Sequence, residues 1–281
     1  MKTIVGVDGT GYYESTLNLL ARLRPQEVDI EVIHVDDSKL LVSKQEFGFI
    51  SGAELSQINS DDTLIMHAKV ISEALGFRTS RKVLFGSPAK ILLDHARKEK
   101  ADLICIGSRR RSKFNSSLFG SMGRALAIGS KESVLISKGE VSPVGPLSVV
   151  LTTDHSKYSD RAIRTFIEQK PEGIKQLILL TAFDKKMVAG MNKDHRESFL
   201  EFIGKKSKKV VKRIREAGIP AEHRLWEGDL GEVVETQMDE VKADLLVMAA
   251  QGTGYADRLN IGSSALKQIV SSKHSIYLIR P

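Results

Sequence analysis

Residues Lys100–Ser108 read KADLICIGS, and Lys242–Ala250 read KADLLVMAA, 142 positions further on. The same offset carries Gly120-Ser121 onto Gly262-Ser263, Gly86 onto Gly228, and Ser133–Ser137 (SVLIS) onto Ser275–Ile279 (SIYLI). Near the start, Thr3–Thr10 (TIVGVDGT) matches Val149–Ser156 (VVLTTDHS) and lays Asp8 over Asp154, with the offset enlarged as a small indel would produce. A repeat of this length constrains the fold more than composition can, because each copy must bury a core of its own. The 281 residues are therefore read as two domains, 1–143 and 144–281. Ser137–Pro146 (SKGEVSPVGP), with two prolines and two glycines, supplies the linker.

Hydrophobic residues at 41% and charged residues at 27% are globular proportions. A net charge of +7 favours anionic partners without naming one. The single cysteine, Cys105, excludes a disulfide framework and fits a reducing compartment. The opening MKTIVGVDGT shows no secretory signal, and no run approaches the ~18 apolar residues of a membrane span. A cytoplasmic protein is expected.

Each copy alternates strands with helices. In the first, Thr3–Asp8 is a short apolar run suited to a buried strand. Ser15–Leu23 (STLNLLARL) then spaces its leucines as a helix face does. Asp29–Asp37 is a second strand, Asp61–Leu75 a helix, and Arg78–Phe85 an alternating third strand. Ser87 and Pro88 read as N-cap and first helical residue of a helix over Ala89–Lys100. The strand Asp102–Gly107, a helix Leu118–Gly129 and a last strand at Ser133–Ser137 complete the copy. The second copy repeats the pattern, with strands at Ser148–Thr153, Gln176–Phe183, Ala221–Trp226, Asp244–Ala249 and Ser275–Ile279. Apolar strands separated by helices imply a parallel sheet covered on both faces. Ligands of such sheets bind beyond the carboxyl ends of the strands, where the winding reverses.

That position holds the stretch GSRRRSKFNSSLFGS, Gly107–Ser121. Gly120-Ser121 opens the following helix, whose free N–H groups and positive dipole end suit phosphate. Glycines let successive N–H groups converge on an anion. Asp8 and Asp154, ending the first strands, face the same crevices, where a carboxylate can accept ribose hydroxyls or help hold a metal bridging phosphates. The arginine run has three readings: a solvated loop first, phosphate contact within the fold second, and nucleic-acid binding last. No aromatic residue interleaves the arginines and no nucleic-acid module is found.

The strand ending in Asp, the HVDD segment (His34–Asp37) and the spacing G-x-x-G-x9-G-[ST] after the fourth strand resemble the universal stress proteins. The resemblance covers nearly the whole chain and makes it similar to tandem, two-domain members. It implies an α/β fold of two five-stranded parallel, Rossmann-like domains of the adenine nucleotide α-hydrolase-like type. It also implies pairing of the two domains through their last strands, with a homodimer as a further arrangement. Some members bind ATP, with Mg as a counter-ion, and others do not. Carried onto this chain, the nucleotide-binding positions are Asp8, Val35, Gly107, Arg110, Gly120, Ser121 and Met122 in the first copy. In the second they are Asp154, Ala182, Met248, Ala249, Gly252, Gly262, Ser263 and Ser264.

Both copies depart from the spacing. Arg110 stands where the second glycine would be, and Ala249 where the first would be in the second copy. Alanine keeps its N–H and adds one methyl group, whereas arginine fills the phosphate space or binds phosphate itself. The second crevice is thus the better nucleotide site. No enzyme motif of the GxxxxGK[ST] or GxSxG type is present, and no base for activating water is named. Three classes of function stay open: a nucleotide-responsive stress protein, a scaffold of the same fold without nucleotide, and a weak adenine-nucleotide hydrolase. The basic segment Glu201–Gly218 reads as a helix burying Phe202, Val210, Val211 and Ile214 with its lysines in solvent, an anionic partner being the alternative. Cys105 reads as a small core residue, His155 as a solvated loop residue, and Phe85 and Trp226 as packing at the sheet ends. The scattered histidines show no metal-ligand spacing.

Overall fold

The computed structural model describes residues 1–37, 61–109, 121–184, 188–252 and 261–281. Two compact units emerge, Met1–Ala21 with Glu27–Pro143, and Arg22–Gln26 with Val144–Pro281.

In the first unit β1 (Lys2–Val7) is followed by α1 (Tyr13–Leu23), β2 (Asp29–Asp36), α2 (Asp61–Ala74), β3 (Arg78–Phe85) and α3 (Pro88–Glu99). β4 (Leu103–Ser108), α4 (Ser121–Gly129) and β5 (Ser133–Lys138) complete it. The strands lie in the order β3-β2-β1-β4-β5, and every neighbouring pair is parallel. The winding reverses between β1 and β4. Ile4, Val5, Val32, Ile33, Leu103, Ile104 and Cys105 are fully buried, each large apolar side chain contributing about 2 kcal/mol. Burial pushes the Cys105 thiol far above its ordinary range, so the sulfur behaves as a core atom.

The second unit repeats the plan with β6 (Leu147–Thr152), α5 (Lys157–Glu168), β7 (Ile174–Phe183), α6 (Lys193–Glu216) and β8 (Ala221–Glu227). Then come α7 (Leu230–Glu240), β9 (Leu245–Ala249), α8 (Ser263–Ser271) and β10 (Ser275–Ile279). Its order is β8-β7-β6-β9-β10, again parallel throughout, with the reversal between β6 and β9. β6 and β10 are buried along their whole length, whereas the outermost β8 is mostly half-exposed. A central strand is covered on both faces and an outer one is not, which is why β3 (RTSRKVLF) and β8 (AEHRLWE) are rich in polar residues.

Three expectations change. Ser87 does stand at the N-cap of α3 with extended backbone, yet its hydroxyl makes no capping bond; Pro88 has already removed one N–H that would need a partner. Phe85 and Trp226 do not pack at the sheet ends: they are 61% and 42% exposed, because each lies on an outermost strand. Phe202 is 55% exposed while Val210, Val211 and Ile214 are buried. The lysine-rich helix turns its Phe202 position outward, where the Lys206 ammonium lies 4.8 Å from the ring centroid. Among the described residues, no helix is long and apolar enough to cross a membrane.

Candidate functional site

At the carboxyl ends of β6, β7 and β9 the second unit opens into a cavity of about 350 Å³, a small-molecule volume. The position follows from topology: β6 and β9 are neighbours wound in opposite directions, so the loops leaving them diverge and leave a gap. Asp154, Ala182, Met248, Ala249, Gly252, Ser263 and Ser264 all line it. Gly262 caps α8 just behind them with no side-chain bond, leaving the first-turn N–H groups of α8 to other acceptors. The Gly262 N–H donates to the Ala250 carbonyl (2.7 Å), and the Ala250 N–H to that of Ile279 (2.9 Å), so both ends of the intervening loop are anchored.

Asp154 is set by its own turn, its Oδ1 accepting the Ser156 N–H at 3.0 Å. A Cβ on Gly252 would stand 2.7 Å from Asp154 Oδ2, so the bare backbone at 252 is what lets the carboxylate reach the crevice. Ala249 adopts no positive φ, so its methyl group costs no backbone strain.

The sequence reading missed most of the apolar wall. Phe199 and Ile203, four residues apart on α6, join Phe183, Leu225 and Leu230 there, and the first two were legible as an i, i+4 pair. It also undervalued His155. With φ 57° this residue is in the left-handed region, a strained conformation for a side chain of its size. Its Nε2 lies 3.2 Å from Thr181 Oγ1 and 3.1 Å from Ser207 Oγ, joining the β6–α5 loop to β7 and α6. Burial, and then the positive charge of Lys206, hold the imidazole below its ordinary range, with Asp154 opposing.

This shift has a consequence for stability. The folded chain takes up the His155 proton less readily than the unfolded chain, so the stabilisation is complete above about pH 6.5 and is lost as pH falls through the lowered folded value. His223, lowered by burial and then by Lys208, acts with the same sign. The urea midpoint of the full chain is expected to drop from about pH 7 to about pH 5, and His155→Gln to flatten part of that slope. An unaltered slope in the variant would place the proton elsewhere.

In the first unit, Gly107 is the penultimate residue of β4 and Ser121 and Met122 open α4, while Val35 lies near the end of β2, opposite Leu84 of β3. Asp8 is turned onto its own loop, accepting the Thr10 N–H (3.0 Å) and the Thr10 hydroxyl. A Cβ on Gly107 would stand 2.3 Å from the carbonyl carbon and oxygen of Tyr12, so the β1–α1 loop lies directly against the end of β4. Arg110 and Gly120 fall outside the described residues.

The solved structures that resemble the chain agree on the fold. A universal stress protein from Archaeoglobus fulgidus DSM 4304 matches with a TM-score of 0.69 at 19% identity, over 99% of this chain and 96% of its own. A putative universal stress protein from Pseudomonas aeruginosa UCBPP-PA14 matches with a TM-score of 0.61 at 13% identity, over 99% and 92%. A functionally unknown protein from Pseudomonas aeruginosa PAO1 gives 0.61 at 12% identity, over 100% and 92%. No curated protein matches at the sequence level. The model of the universal stress protein family matches twice, over residues 1–138 and 148–280. With both repeats matched and each folded as a five-stranded parallel α/β unit, the chain belongs to the universal stress protein family as a tandem, two-domain member.

Proposed function

We propose that the chain is a nucleotide-responsive stress protein whose second-unit crevice takes ATP or a related adenine nucleotide. The observation that carries this reading is the single cavity in which Asp154, Gly252, Ser263 and Ser264 meet at the start of α8. The residues fit such a ligand. The uncapped N–H groups of α8 and the two serine hydroxyls suit phosphate, and Asp154 suits ribose hydroxyls or a bridging Mg²⁺. Phe183, Phe199 and Leu225 offer an apolar face to a planar base. Bound nucleotide would supply a charged, phosphate-bearing surface at the loop between β9 and α8, through which a partner could sense it.

Calorimetry of the full chain with ATP, together with mass spectrometry of small molecules released from gently purified protein, tests the proposal. One site per chain and copurified adenine nucleotide are expected. The apolar wall favours a second reading, in which the same crevice holds a largely apolar ligand and the protein serves as a scaffold. Release of an apolar compound, with no heat from ATP, would select it.

A further inference from the structure

A second cavity, of about 370 Å³, lies between α5 and α6 and shares only Thr153 and His155 with the crevice. Lys157 and Arg164 of α5 and Lys206, Lys209 and Arg213 of α6 line it, with Asp160 as its one carboxylate. Asp160 is already engaged, its oxygens 2.7 Å from Arg213 and 2.9 Å from Arg164. Burial works to raise its carboxyl, but the two guanidinium groups outweigh it and hold it below the usual range.

The two faces of α6 treat their lysines differently. On one, Lys205 pairs with Glu201 at 2.7 Å and Lys212 with Glu216 at 3.7 Å, both at i, i+4 spacing. On the other, Lys206, Lys209 and Arg213 follow one another along the groove. Among the described residues no carboxylate lies within ion-pair distance of Lys157, Lys206 or Lys209, and the Lys206 ammonium sits over the Phe202 ring instead. Like charges three or four residues apart on a helix repel. The end of α5 is not the attraction, since Ser156 Oγ already accepts the Ser159 N–H at 3.1 Å. What converges on the cavity is side-chain charge in excess of its counter-charge. The concave shape and small-molecule volume suit a compact ligand better than a nucleic-acid strand.

We infer that this groove binds a compact phosphate anion of two or more charges, at a site separate from the crevice. Lys206, Lys209 and Lys157 supply the charge, and Asp160 holds the two arginines in place. Because His155 forms part of both walls, the anion also meets the ring that hydrogen-bonds to Thr181.

Inorganic pyrophosphate titrated calorimetrically into the full chain, at about physiological salt, is expected to show one saturable site. Lys206→Gln and Lys209→Gln should each weaken it about tenfold, while Lys205→Gln and Lys212→Gln leave it unchanged. Gly252→Arg should also leave it unchanged, so a failure of the crevice reading does not touch this one. The His155 ring-proton resonances should move on saturation in the parent chain and stay still in the Lys206→Gln/Lys209→Gln variant. ADP titrated into Gly252→Arg identifies the source: binding there, dependent on Lys206 and Lys209, assigns a nucleotide's phosphate tail, and binding of pyrophosphate alone assigns the free anion. Absence of a saturable site, equal losses from the Lys205 and Lys212 variants, or loss in Gly252→Arg would each overturn the inference. So would a single-stranded oligonucleotide bound through both faces of α6.

Discussion

Gly252→Arg is expected to weaken ATP binding by about a hundredfold, or ~2.7 kcal/mol, with the fold retained. The first added atom already falls 2.7 Å from Asp154 Oδ2. The carboxylate must then leave its place, together with the 3.0 Å bond it accepts from the Ser156 N–H. The rest of the arginine enters a cavity of about 350 Å³ that the ligand needs, and its guanidinium can pair with Asp154 and keep it from a ribose. Asp154→Ala, which removes the carboxylate without filling the space, should cost about tenfold. Calorimetry on both variants checks the order of effects. If ATP binds Gly252→Arg as tightly as the parent chain, the second crevice is not the nucleotide site.

The second large effect concerns stability and falls on the other copy. Gly107→Ala should destabilise the first unit by about 3 kcal/mol, the upper range for overpacking. A Cβ there meets the Tyr12 carbonyl carbon and oxygen at 2.3 Å and the Tyr12 Cβ at 2.6 Å. Backbone cannot swing aside as a flexible side chain can, so the β1–α1 loop or the end of β4 must shift. The second copy carries Ala249 at the matching position without strain, so Ala249→Gly should change stability by less than about 1 kcal/mol. The sole tryptophan, Trp226, lies in the second unit. Urea unfolding followed by far-ultraviolet circular dichroism should therefore show an early phase in Gly107→Ala that Trp226 fluorescence does not report. A parent-like midpoint by both probes would mean that the contact relaxes at no cost.

The contrast between these glycines shows where reading the sequence succeeds and where it stops. Laid side by side, the copies place Gly107 over Ala249 and mark both as the end of a fourth strand. Only the fold says that Tyr12 crosses one of them. The strands and their parallel arrangement were equally readable, since apolar runs separated by helices occur in both copies, but the order β3-β2-β1-β4-β5 and its counterpart came only from the fold. Phe202, Phe85 and Trp226 went the other way. Each looks like core by hydrophobicity, but α6 is rotated so that Phe202 faces out, and β3 and β8 have a neighbour on one side only. The crevice residues Asp154, Gly252 and Ser263 carried a recognisable spacing; Phe199 and Ile203 came from a helix some fifty residues away in sequence, and their i, i+4 spacing marks a helix face without saying which space it faces.

What the sequence by itself determined is the duplicated α/β plan, because hydrophobic period and glycine placement are local and occur twice. What only the tertiary structure decided is which side chains share a space. His155 bridging Thr181 and Ser207, and Lys206 and Lys209 lining one cavity with Lys157, Asp160 and Arg164 of α5, depend on how α6 packs against its unit. Helical periodicity sets which residues share a face, while the rotation of that face toward the core is set by the summed burial of Val210, Val211 and Ile214 against the sheet, a quantity that exists only once the chain has folded.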